Sequence, residues 1–293
     1  MIPMYRTLEK VLDNDATILI EGESGTGKDA LAQWLHHQGP RKHASFIKLD
    51  LASLPEELVE SELFGYEKGA FTGAEETKLG KFDLAQGGTL VLDEIANVDL
   101  RVQAKLLHVV EAKEFFRLGG TRPIKLDARI VALSSIPLSK AVERRTFRQD
   151  LFFRINLITV RVPALRERRS ELAEIAAHLL AQLDRKYGTR THLAADCEEI
   201  LASYDFPGNV RELRNGLERA VLLSTNGRIA LSSLPQNWLA RRKCEHIPSL
   251  EDVEREYIAE VLSRTHGRKV KAAKILGISR KTLLEKRKKY GLE

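Results

Sequence analysis

Cysteine is almost absent. Only Cys197 and Cys244 occur in 293 residues. They stand far apart and lack the close spacing of a metal-binding pair. That excludes a disulfide-stapled scaffold and a cysteine metal module, and it suits a reduced, cytoplasmic protein. Long apolar runs are absent too. The longest, such as "TLVL" and "ATILI", are strand-length, so no transmembrane helix and no membrane partner are expected. The first residues, "MIPMYRTLEKVLDNDA", lack the apolar core of a signal peptide. Internal repeats and low-complexity segments are missing. With 43% hydrophobic and 30% charged residues, the chain reads as an ordinary globular one, of a length for one medium and one or two small domains.

Acid is scarce in one place only. Residues 264–293 hold 11 Lys or Arg and 2 Asp or Glu, a charge of +9, whereas the first 263 residues hold 36 basic and 39 acidic ones, a charge of −3. The whole surplus of +6 therefore lies in the last tenth, which points to a polyanion partner for the tail.

Residues 17 to 162 alternate β-rich runs with helical patterns. The strands are "TILIE" (17–21), "FIKLD" (46–50), "TLVLD" (89–93), "RIVALS" (129–134) and "LITVRV" (157–162), with helices at 27–38, 56–64 and 99–112. Such alternation predicts an α/β fold with a parallel sheet covered on both faces. Beyond Pro163 the pattern turns helical, over 170–188, 194–203 and 209–225, and Gly208 and Asn209 read as start signals for the last of these. The expected boundaries are 1–165 for the α/β part, 166–240 for a small helical part, 241–249 for a polar linker and 250–293 for a last helical unit.

"GESGTGKD" (22–29) follows a strand and opens a helix. It fits the phosphate-binding loop except at its last position. Gly22, Glu23, Ser24, Gly25, Thr26 and Gly27 would turn backbone N–H groups inward as an anion cradle, and Lys28 would reach the β- and γ-phosphates. Asp29 replaces the Ser or Thr that normally binds Mg²⁺. Either its carboxylate takes over, or the ion relies on water and on the next motif. That motif, "GGTLVLDEI" (87–95), ends a buried strand in two carboxylates. Asp93 would hold Mg²⁺ and Glu94 would polarise the attacking water, so the domain is expected to bind and hydrolyse a nucleoside triphosphate. Positive charge for the transition state is available at Arg148, Arg154 and Arg211.

Taken in order, "GESGTGK", "ELFGYEKGAFTGA", "GGTLVLDEI", "FRQDLFFRIN", "VPALRERRSEL" and "PGNVREL" resemble the AAA+ activators of sigma-54 RNA polymerase, over residues 17 to about 240. The resemblance implies ATP as the nucleotide and a homo-oligomeric ring, expected to be a hexamer. Arg148 and Arg154 would act as arginine fingers on a neighbour's ATP, and Arg211 as the sensor II arginine. Ser134 and Ser135 fall where the family has its sensor I pair. Asp50 falls where an Asn commonly switches the catalytic Glu, and a carboxylate there would repel Glu94 and alter its titration. Asp29 is one methylene shorter than the family's usual Glu. The loop Gly69, Ala70, Phe71, Thr72, Gly73 and Ala74 would contact sigma-54. Its glycines permit folding and extension, and Phe71 would be an apolar anchor presented to the partner.

The tail "VKAAKILGISRKTLLEKRKKYGL" (270–292) places Ala273, Gly277 and Leu283 as a helix-turn-helix needs them: a small residue, a tight turn and an apolar lock. Ser279 can cap the second helix. Arg280, Lys281 and Thr282 would then meet base edges, and Lys286, Arg287, Lys288 and Lys289 would meet phosphates of double-stranded DNA. This segment resembles the family's Fis-type DNA-binding domain.

The expectation is an ATP-driven transcription activator, cytoplasmic and nucleoid-associated, that binds upstream DNA and remodels the sigma-54 polymerase holoenzyme. Two other readings stay open. One is a DNA-associated AAA+ ATPase such as a helicase loader, which has no role for "GAFTGA". The other is a non-catalytic DNA-binding repressor. About 16 residues precede the first strand, too few for a receiver or ligand-sensing domain. Either such a domain was removed, or a regulatory protein acts in trans.

Overall fold

The structure, a computed structural model, describes residues 8–224, 226–240, 250–265 and 268–291. Cys244 and the expected linker 241–249 lie outside the described residues. The chain divides into two compact units, Met1–Pro235 and Gln236–Glu293.

The first unit is built on five parallel strands: β1 (Ile18–Glu21), β2 (Phe46–Asp50), β3 (Thr89–Asp93), β4 (Arg129–Ser134) and β5 (Ile158–Arg161), in the order β2-β3-β4-β1-β5. Alternation along each strand decides which face every side chain meets. Leu90, Leu92, Ile130, Ala132 and Leu19 join one apolar cluster with Leu63, Phe64, Phe82, Leu106 and Phe115. The intervening Val91, Val131, Leu133, Ile18 and Ile20 join the other, with Leu31 and Leu35. Each buried aliphatic side chain stabilises the sheet by about 1.5–3 kcal/mol. Both faces are needed, which is why these strands read as near-continuous apolar runs.

Helices α1 (Lys28–Gln38), α2 (Glu56–Phe64), α3 (Leu100–Ala112) and α4 (Gln149–Ile155) connect the strands. Asp99 caps α3 by accepting from Arg101 N at 2.6 Å and Val102 N at 2.9 Å. After β1 the chain moves to β2 at the far edge of the sheet, so the strand order switches direction between β1 and β4. Ligands of open parallel sheets settle at such a switch, beyond the carboxyl ends of the strands. The registers Glu21↔Ser134 and Asp50↔Asp93 bring four strand ends to one level there. Two short hairpins, Gly65–Tyr66 with Lys78–Leu79 and Glu114–Phe115 with Ile124–Lys125, each carry a loop.

Helices α5 (Leu172–Tyr187), α6 (Ala195–Ser203) and α7 (Asn209–Leu222) follow, with α5 packed on α7. They belong to the same compact unit as the sheet, because the start of α7 is hydrogen-bonded into the loop after β1. Strands β2, β3 and β4 and helix α2 begin and end where expected, and the other ends differ by at most three residues. Such ends fray, and pattern alone does not locate them.

The second unit holds α8 (Leu250–Arg264), α9 (Lys269–Ile275) and α10 (Arg280–Tyr290). Its core is Ile258, Val261, Ala272, Ala273 and Leu283. Two adjacent alanines let the helices approach, and Leu283 fills the junction.

Candidate nucleotide site and surface loops

The loop 22–29 runs from β1 into α1. Lys28 is buried, and its Nζ donates to the carbonyls of Gly22 at 2.7 Å and Glu23 at 3.3 Å. Burial pushes the ammonium below its usual pKa, against the pull of Glu94, Asp93 and Asp29. Gly25 and Gly27 have φ of +78° and +103°, in the left-handed region. Gly25 is needed for a second reason. A Cβ there would lie 2.4 Å from the carbonyl oxygen of Gly208.

That close approach comes from the helical part folding onto the loop. Val210 N donates to Gly25 O at 2.9 Å, and Arg211 donates to Ser24 Oγ at 2.7 Å. Asn209 is fully buried with φ of +53°. Its Nδ2 donates to Ser24 O at 3.0 Å and Glu23 at 3.2 Å, and its Oδ1 accepts from Leu165 N at 2.8 Å. Arg166 grips Glu23 with both guanidinium nitrogens, and Arg168 donates to Thr26 O at 2.7 Å. The Arg166 hydrogen bonds, helped by Asn209, hold the Glu23 carboxyl down to about 2. The helix begins at Asn209, as its start signal implies, with Gly208 at the cap position, and the Asn209 side chain also joins loop to helix.

The acids of the second motif sit at the end of β3. Glu94 has φ of +55°. Its Oε2 accepts from Ser135 N at 3.1 Å and Ser135 Oγ at 2.7 Å, while its Oε1 lies 4.0 Å from Lys28 Nζ. Ser135, short as it is, therefore reaches the glutamate. Ser134 turns away to Ile136 O. Asp50 Oδ1 accepts from Ala52 N at 3.1 Å in its own turn.

Asp29 and Asp93 meet at Lys48, a residue the motif reading passed over. Its Nζ lies 2.6 Å from Asp29 Oδ1 and 2.8 Å from Asp93 Oδ2. Burial lowers its pKa and the bonds to Asp29 and Asp93 outweigh that, so the net shift is upward. Two carboxylate oxygens that share one cation are a donor set of the kind a hard divalent ion takes. Among the described residues no cluster of three or more His, Cys, Asp or Glu has metal-binding geometry.

Arg148 bonds Asp150 at 2.7 Å, and its backbone N donates to Gln103 Oε1 at 2.7 Å. Arg154 is exposed on the same short helix, beside Phe153 and Leu157, which are 65% and 72% exposed. Among the described residues neither arginine bonds the loop 22–29, Asp93 or Glu94 of its own chain.

The loop 69–74 is carried by the first hairpin. Gly69 and Gly73 have φ of +83° and +104°, and a Cβ at either would meet nothing within 4 Å. Gly69 N donates to Ala74 O at 2.8 Å, and Ala74 N to Phe71 O at 3.0 Å, so the loop is a closed set of turns. Phe71 is 49% exposed and rests edge-on against Tyr66, with centroids 4.9 Å apart. Ala70 abuts Gly119 of the neighbouring loop, and Arg117 bonds Glu67 at 2.9 Å and Asp83 at 2.8 Å.

A model of the Sigma-54 interaction domain matches residues 1–161. This chain belongs to that family.

The sigma-54 interaction domain is followed by matches to the AAA+ ATPase lid domain over 166–249 and to the Fis family of bacterial regulatory proteins over 249–290. The Nif-specific regulatory protein of Azospirillum brasilense is 45% identical over 234 residues, 80% of this chain and 37% of that protein. The transcriptional regulatory protein FlbD of Caulobacter vibrioides is 38% identical, over 99% of this chain and 68% of FlbD. The chain thus spans little more than a third of the first relative and about two thirds of the second. Among solved structures, NtrX from Brucella abortus in complex with ATP superimposes with a TM-score of 0.76 at 31% identity, over 100% of this chain and 68% of that one. The fold is an AAA+ fold with a lid and a helix-turn-helix. Among the described residues no helix is long and apolar enough to cross a membrane.

In the Fis-family segment of this sigma-54 family member, Gly277 takes φ of +65° in the turn, and Ser279 Oγ caps α10 by accepting from Thr282 N at 3.0 Å. Arg280 and Lys281 are exposed on the first turn. Lys286 pairs with Glu254 at 2.5 Å and Lys289 with Glu251 at 2.6 Å. Two lysines assigned to phosphates therefore face α8, while Lys288 is exposed.

Proposed function

We propose that this chain is an ATP-hydrolysing transcription activator that binds upstream double-stranded DNA through residues 250–293. It assembles as a ring, expected to be a hexamer, and remodels the sigma-54 polymerase closed complex through the loop 69–74. One observation carries this reading. In the unit Met1–Pro235, a buried phosphate-loop lysine stands 4.0 Å from a strand-end glutamate, while a glycine-hinged loop with a half-exposed Phe makes, among the described residues, no bond to that site.

The chemistry follows from the residues. Lys28 and the N–H groups of residues 22–27 bind the phosphates. Glu94, oriented by both donors of Ser135, polarises the attacking water. Asp29 and Asp93 would hold Mg²⁺, whose charge stabilises the phosphoryl oxygens. Arg211, bonded to the loop at Ser24, reports nucleotide to the lid. Arg148 and Arg154, which among the described residues make no bond to their own site's acids, serve the site of a second copy. Arg280, Lys281 and Thr282 face base edges, with Arg287 on the same helix. A regulatory protein acting in trans remains part of the proposal.

The test is open-complex formation by purified protein, sigma-54 polymerase and ATP on a supercoiled promoter. Activation that is lost without ATP, and loss of specific upstream DNA binding on deleting residues 250–293 with ATP turnover retained, are the expected results. Turnover without open complexes would favour the loader reading. DNA binding without turnover would favour the repressor.

A further inference from the structure

Lys48 is unexplained by the scheme above. It sits in the middle of β2, the edge strand of the sheet. Its neighbours in the strand, Ile47 and Leu49, pack on the apolar core, while its own side chain runs out to the site and keeps one third of its area exposed. Its ammonium is shared between Asp29 on the first turn of α1 and Asp93 at the end of β3. Three elements thus meet at one cation, and the two carboxylates it joins are the pair proposed to hold the divalent ion. An ammonium and a divalent ion cannot both lie between the same two oxygens, because like charges repel there and both would need the same space.

We propose that Lys48 is a resident counter-cation that competes with the divalent ion for Asp29 and Asp93. Entry of the ion releases the Lys48 ammonium from at least one carboxylate. Lys48 thereby sets how tightly the ion binds before nucleotide arrives, and it keeps the two acids from repelling each other when no ion is present. Phosphate oxygens of an incoming nucleotide supply further ligands, so ion and nucleotide bind together more readily than the ion alone. Lys48 is a positioning residue in this role, since it acts through the two carboxylates. The inference rests on the proposed function only in taking Asp29 and Asp93 as the ion's ligands.

The test uses the full chain without nucleotide and Mn²⁺ as a paramagnetic probe, with free Mn²⁺ read by electron paramagnetic resonance. Lys48→Met removes the charge at nearly constant length, and its Mn²⁺ affinity should rise about tenfold or more. Lys48→Arg keeps the charge and should stay near wild type. Asp93→Asn should lose Mn²⁺ binding in either background. If Asp93→Asn binds Mn²⁺ normally, the ligand assignment fails. If binding depends on Asp93 but Lys48→Met binds no tighter than wild type, the competition is overturned and the ligand assignment stands. A measurement on the unaltered protein guards against misfolding of the variants. Saturating Mn²⁺ should raise acetylation of Lys48 by acetic anhydride a few-fold, read by mass spectrometry against Lys81 as an internal standard. Unchanged labelling would refute release of the ammonium.

Discussion

Two glycine-rich loops of the same unit look alike in sequence and are held for opposite reasons. In "GESGTGKD", Gly22 and Gly25 are enclosed. A Cβ at Gly22 would come 2.6 Å from Val162 O, and one at Gly25 would come 2.4 Å from Gly208 O. In "GAFTGA", Gly69 and Gly73 face open space and differ from other residues only in their positive φ. The first loop is fixed by backbone from distant parts of the chain. The second is held by its own turns and by contacts of Phe71 with Tyr66 and of Ala70 with Gly119. Phosphate recognition needs N–H groups that stay in place. The second loop, proposed to offer an aromatic to a partner, needs backbone that can change course at low cost. Glycine satisfies both, by close approach in one and by conformational range in the other.

The largest expected effect falls on the enclosed loop's chemistry. Glu94→Gln should cut ATP turnover by at least about 100-fold while nucleotide binding persists, because the water-polarising carboxylate goes and Lys28 stays. Mixing this variant with Arg154→Ala protein should restore part of the turnover, since one interface then joins an intact site to an intact finger. No restoration at any mixing ratio would place the arginine's action within its own subunit.

Stability should separate the loops next. Gly25→Ala meets both a forbidden φ and the Gly208 carbonyl, and should destabilise by about 3 kcal/mol or displace the lid. Gly69→Ala meets only the φ penalty, about 1 kcal/mol. Urea unfolding of both variants measures the gap, and equal midpoints would erase the distinction drawn between the loops.

Phe71→Ala should leave turnover within a few-fold of wild type and weaken sigma-54 binding, in the presence of ADP–aluminium fluoride, by roughly 30-fold, about 2 kcal/mol at an interface. If the variant unfolds or stops hydrolysis instead, the ring against Tyr66 is a core contact rather than a presented one.

The smallest effect concerns the tie between Glu23 and Arg166. The Glu23 carboxyl titrates at about 2 in the folded chain, below its ordinary value of 4.5. A depressed carboxyl stabilises the fold above the unfolded pKa, and that contribution fades as pH falls from about 4.5 towards 2. Wild type and Glu23→Gln should therefore differ in thermal stability at neutral pH and converge in acid. The tie is exposed to solvent, so the difference should be small. A gap that persists below pH 2 would mean that the carboxylate charge is not its source.

The amino-acid order by itself determined the strand runs, the phosphate loop, the strand-end acids, the small-residue and capping pattern of the tail, and the uneven charge. Each of these is local. Period-two and helical patterns, a glycine at a turn and a serine before a helix act over a few residues, and β2, β3 and β4 begin and end at the expected positions. Only the tertiary structure decided which distant groups meet. It sent Asn209 into the loop 186 residues away, and gave Ser135 to Glu94 across 41 residues. It also put Lys48 between Asp29 and Asp93, and turned Lys286 and Lys289 back onto α8. No motif spacing encodes those pairs. They arise because the strand order brings separate strand ends to one level, where a long polar side chain finds its partner by geometry and charge rather than by position in the chain.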